Sequence, residues 1–129
     1  MRKIIGMAVL AAAMLGSTLV VAGTASASAP HLRGCAESGP VRPAQFNPIC
    51  NDGSYTVIGL RWPTWSATAE GSGEFYTHQG DYPIHVMAWR IRNGTYTRFR
   101  YQFTHHVPRN FPRGWTIRYS SGRWHGLVV

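Results

Sequence analysis

Over residues 82–92 and 95–105 apolar and polar side chains alternate with a period of two, and Asn93-Gly94 lies between the two runs. That period places one set of side chains on each face of an extended strand. Asn-Gly is the strongest short hairpin signal, because both central residues of a two-residue type I′ turn need positive φ. Such a turn pairs Arg92 with Thr95 and thereby fixes every later pair. One face of the predicted hairpin sets Ile84, Val86 and Ala88 against Phe103, Tyr101 and Phe99, with Arg90, Arg92, Thr95 and Thr97 near the tip. This is a core face that runs out into solvent. The other face sets His85 against Gln102, Met87 against Arg100, Trp89 against Arg98 and Ile91 against Tyr96, and is expected to be half wet.

The flanking segments carry weaker versions of the same signal. Residues 54–62 are β-branched and aromatic; alternation predicts Thr56, Ile58, Leu60 and Trp62 on one face and Tyr55, Val57 and Arg61 on the other. Pro63 is expected to interrupt that strand, and Gly71-Ser72-Gly73 predicts a bulge or tight bend within 64–77. Gln79-Gly80-Asp81 reads as a turn. Residues 115–119 and 123–129 form a closing pair around Ser120-Ser121-Gly122. No window has helical periodicity. The expectation is an all-β domain over residues 54–129, a small antiparallel sandwich or barrel of five to seven strands. Ahead of it, residues 28–53 contain Pro30, Pro40, Pro43 and Pro48 and no usable period. They read as an irregular arm, held by its cysteines rather than by secondary structure.

Residues 1–27 follow a different pattern. Arg2 and Lys3 precede an uncharged apolar stretch, which ends in small residues around Ala25-Ser26-Ala27. Basic, apolar and small, in that order, is the layout of a cleavable export signal. The expected location is therefore extracellular, and no segment after the signal is apolar enough to span a membrane. In an exported chain the two cysteines, Cys35 and Cys50, are expected to pair.

Export changes the charge balance little. Two of the 13 basic residues lie in the signal; the remaining 11, all arginine, outnumber 5 acids by six. Such a surplus attracts polyanions, and the expected partner of this monomeric domain is an anionic envelope polymer or nucleic acid. Trp89, Tyr96, Arg98 and Arg100, with Arg90 and Arg92 at the hairpin tip, supply rings and guanidiniums in the pattern that pairs phosphate and stacks on bases or sugars. The same residues also suit the second layer of a sandwich, with arginine heads reaching past it into solvent.

Catalytic patterns are sparse. His105-His106 with His78, His85 and His125 lack ligand spacing, so neither metal nor cofactor is expected. Glu70 and Glu74, four residues apart on an extended strand, stand about 13 Å apart, wide of the usual glycosidase separations. A ribonuclease is the enzymatic alternative, with Glu74, His85 or His125, and Arg98 or Arg100 cast as base, acid and phosphate cation. The reading preferred here is a secreted, basic, non-enzymatic β domain.

Three stretches carry a resemblance: Cys50-Asn51-Asp52-Gly53-Ser54-Tyr55 leading to Gly59-Leu60-Arg61-Trp62-Pro63-Thr64-Trp65; Ala67-Thr68-Ala69-Glu70-Gly71-Ser72-Gly73; and Tyr82-Pro83-Ile84-His85-Val86. Together they resemble a group of small exported actinobacterial proteins of unassigned function, over roughly residues 50–105. Many of that group carry a further cysteine pair before the tyrosine-proline step, where this chain has Thr77-His78-Gln79-Gly80-Asp81. The resemblance implies export and a β fold, and lends no catalytic residue.

Overall fold

In the computed structural model residues 28–35, 40–50 and 52–127 are described, so the signal expected at 1–27 lies outside the described residues. The β domain is one six-stranded antiparallel sheet in simple sequence order: β1 (Val57–Trp65), β2 (Thr68–Thr77), β3 (Gly80–Arg92), β4 (Thr95–Phe103), β5 (Gly114–Ser120) and β6 (Arg123–His125). The sheet is not closed into a barrel, since β1 and β6 are its two edges. One turn of 3-10 helix, Gly53–Tyr55, leads in; Asp52 caps it by accepting from Ser54 N at 2.9 Å.

The β3–β4 hairpin has the predicted register from Ile84↔Phe103 to Arg92↔Thr95. Asn93 and Gly94 take φ of 52° and 77°, and Ser121 and Gly122 repeat that geometry at the β5–β6 turn. The predicted inner face is the core: Ile84, Val86, Ala88, Phe99, Tyr101 and Phe103 are all buried. Aromatic rings fill it, with Tyr101 stacked on Trp115 at 4.5 Å and Phe46 on Phe99 at 4.3 Å.

Several expectations are corrected. The β2–β3 hairpin turns at His78-Gln79, between the paired Thr77 and Gly80, one place earlier than the Gln79-Gly80-Asp81 signal. β2 runs unbroken through Gly71-Ser72-Gly73, and the irregularities lie in β1 instead, between Ile58 and Arg61 and between Arg61 and Thr64. Gly59 takes φ 61°, so Val57 rather than Ile58 shares the core with Leu60 and Trp62. A left-handed glycine inserts an extra residue into an edge strand and bends it. Pro63 does not end the strand, because an edge strand tolerates the missing N–H.

The arm is the larger surprise. It belongs to the same core as the sheet, with Leu32 and Phe46 buried beside the strand residues. Its 44–46 stretch runs along the free edge of β1, through Phe46 N to Val57 O, Val57 N to Phe46 O and Leu60 N to Ala44 O, each 2.9 Å. Cys35 N donates to Asn47 O at 2.8 Å, and His31 bridges Thr95. Three indole N–H groups donate to carbonyls of the arm: Trp65 to Pro30 at 2.9 Å, Trp124 to Arg33 at 2.8 Å and Trp62 to Pro43 at 2.8 Å. The arm thus fills the seam between the sheet edges. Cys35 and Cys50 are disulfide-bonded, as expected. Among the described residues no helix is long and apolar enough to cross a membrane.

Candidate functional site

Register across the sheet decides which outward side chains become neighbours. Thr68 pairs with Trp89, Trp89 with Arg98, Arg98 with Arg118, and Arg118 with His125, so one continuous row crosses β2 to β6. The next row runs Glu70, Met87, Arg100, Thr116, and the third runs Arg61, Ser72, His85, Gln102, Gly114. Paired residues on an antiparallel sheet project to the same face. Trp89, Arg98 and Arg100 are half-buried and Arg118 is exposed, which leaves rings and cations open on a partly desolvated surface.

The guanidinium of Arg98 holds its proton less firmly than usual, first because the sheet removes part of its hydration and then because Arg90, Arg118 and Arg92 crowd it with like charge. Its Nη1 donates to Thr97 O at 2.9 Å. Arg100 is fixed by bonds to Thr116 Oγ1 at 3.2 Å and Gln102 Oε1 at 3.0 Å. Gly114 makes room for this, since a Cβ there would lie 2.8 Å from Arg100 Nη2. None of these arginines has a carboxylate partner among the described residues. The nearby acid Glu70 faces His85 instead, with Oε1 3.7 Å from Nε2. Comparison with protein families, curated proteins and solved structures finds no match.

Three of the candidate residues stand apart from these rows. Tyr96 is fully buried, packed edge-on against Trp65 at 5.2 Å with its hydroxyl donating to Ser66 O. Arg90, which faces Thr97 beside the Ile91–Tyr96 pair, takes φ 61°, and the strict alternation does not survive past that kink. Tyr96 therefore offers no ring to a ligand. Arg90 and Arg92 are exposed at the tip, as expected. Arg118, absent from the sequence-based set, joins the row because β5 pairs beside β4. The residues cast for RNA cleavage are dispersed: Glu70 rather than Glu74 meets His85, and His125 sits three strands away, on β6, near Ser120 O. No group of three or more metal-binding side chains converges among the described residues.

Proposed function

We propose that this chain is an exported, non-catalytic domain that binds a phosphate-bearing polymer through the outer face of β3, β4 and β5. The supporting observation is the Trp89–Arg98–Arg118 row, with Arg100 beside it: adjacent guanidiniums without carboxylate partners among the described residues, of which Arg98 is lowered in basicity by lost hydration and then by the like charge of Arg90, Arg118 and Arg92. Neighbouring strands lie about 4.8 Å apart, and alternate residues on one strand about 6.8 Å apart. Arg98, Arg100 and Arg118 thus form a lattice of cations at the scale of successive phosphates, and the Trp89 ring gives a sugar or base a surface to lie on. Polyanion binding releases condensed counterions and relieves the repulsion among the arginines. The disulfide and the absence of a membrane-crossing helix among the described residues are compatible with work outside the cell.

The test is a salt-gradient elution from two columns, single-stranded DNA and phosphate-polymer-bearing cell wall. The wild-type protein is expected to be retained on at least one, and Arg98→Gln with Arg118→Gln to elute at markedly lower salt, with the logarithmic salt slope reduced by about one per arginine removed. Which column retains it names the polymer. Equal elution of variant and wild type from both removes the proposal.

A further inference from the structure

We infer that the groove between the disulfide and the β5–β6 turn is a binding site for a small amphiphilic anion, with an apolar ring or chain and a carboxylate, phosphate or sulfonate head. The groove has a volume of ≈ 690 Å³, inside the range of roughly 300–1,000 Å³ common to small-molecule sites. Its walls are of two kinds. Ile49, Tyr119, Leu127 and the Cys35–Cys50 bridge make the apolar part, and Arg33 and Arg123 the cationic part, with the His125 ring beside them. None of the described carboxylates, Asp52, Glu70, Glu74 and Asp81, lines it.

The polar groups are held in place by the fold. Arg33 donates from Nε to Thr95 Oγ1 at 3.2 Å, which fixes the guanidinium while leaving both terminal nitrogens without a partner among the described residues. The backbone that carries Arg33 is pinned by the indole of Trp124, through the same 2.8 Å bond that latches the arm. His125 is anchored by Nε2 to Ser120 O at 3.1 Å. Arg123, exposed on β6, supplies the second guanidinium. Side chains fixed in advance lose less entropy on binding, and a guanidinium fork meets carboxylate or phosphate with paired hydrogen bonds.

Head-group chemistry alone leaves Ile49 and Leu127 uncovered, and an apolar body alone leaves two arginines without a counter-ion among the described residues. An amphiphilic anion satisfies both walls. This site draws on the arm and β6, and its failure would leave the reading of the β3–β5 face untouched.

The experiment uses the intact, oxidised protein and 8-anilinonaphthalene-1-sulfonate, with the neutral N-phenyl-1-naphthylamine beside it. The anionic probe is expected to bind at one site, about tenfold or more tighter than the neutral one. Arg123→Gln should weaken the anionic probe about tenfold, whereas Arg109→Gln, an equal loss of charge on the 104–113 loop, should leave it unchanged. The indole N–H resonance of Trp124 should move on titration and that of Trp89 should not. Dodecyl phosphate should displace the probe, while inorganic phosphate and vesicles of phosphatidylglycerol should not. The site is refuted if both probes bind equally, if Arg123→Gln binds like wild type, if Trp89 responds in place of Trp124, or if inorganic phosphate or vesicles displace as well as the soluble amphiphile.

Discussion

Tyr101 shows how far a single side chain departs from its chemistry in water. Burial among aromatic rings pushes its phenol well above the ordinary 10.0, and the neighbouring Tyr55 adds to the shift. Its hydroxyl donates to Tyr55 O at 3.2 Å, so the neutral form is also the bonded form. The sign follows directly. The unfolded chain sheds this proton near pH 10 while the folded chain retains it, so the stabilisation is complete below that pH and is lost as pH rises above it. Tyr101→Phe should therefore flatten the alkaline decline in unfolding free energy. At neutral pH it should cost about 1 kcal/mol for the lost hydrogen bond. Urea titrations at a series of pH values check this, and an undiminished alkaline slope in the variant would contradict it.

At the scale of elements, the edge strand β1 is decided by the strand beside it. Gly71 and Gly73 sit on the core face of β2, in line with Val86 and Ile84 of β3. A Cβ on Gly71 would run into Arg61 O and come within 2.9 Å of the Trp62 ring; one on Gly73 would meet Ile58 O and lie 3.1 Å from Leu60 Cδ2. The glycines therefore let the bent β1 lie close over the sheet and deliver Leu60 and Trp62 to the core. Gly71→Ala is expected to destabilise by about 1–3 kcal/mol, the usual effect of overpacking. Ser72→Ala, on the exposed face between them, should stay within about 0.5 kcal/mol of wild type. Denaturant midpoints decide it, and equal effects would mean that β1 is free to shift away. The sequence pointed to something unusual at Gly71-Ser72-Gly73. It did not say that the strain fell on the neighbouring strand, because close approach of two backbones is invisible to one-dimensional alternation.

For the whole molecule the arm matters most. Small sheets bury little on their own, and this one leaves an open seam that Leu32 and Phe46 fill. Three tryptophans bond the arm's carbonyls, while the buried Nε1 of Trp115 has no hydrogen-bond partner among the described residues, so indole contributes to the arm by its donor and elsewhere by its area. The disulfide spans a sequence separation of 15, and a loop of that size restricts the unfolded chain by about 3 kcal/mol. Cys35→Ser with Cys50→Ser should lower the unfolding free energy by about that amount while the docked arm keeps its fold, with the Trp124 indole N–H still protected from exchange. Exposure of that N–H in the variant would show that the bridge, rather than packing, seats the arm.

The alternation over 82–105 and the Asn-Gly turn determined the central hairpin, its register and its buried face, since a two-residue turn leaves no freedom in pairing. The cysteine pair was likewise legible from two thiols in a chain read as exported. Only the tertiary structure brought Arg118 beside Arg98, because the 104–113 loop sets no register, and only it turned Tyr96 inward past the kink at Arg90. It alone made the proline-rich arm part of the core and gathered Arg33, Arg123 and His125 into one groove. Local pattern governs neighbours joined by a short turn. Contacts between segments far apart in the chain depend on which apolar surfaces remain uncovered once the sheet has formed.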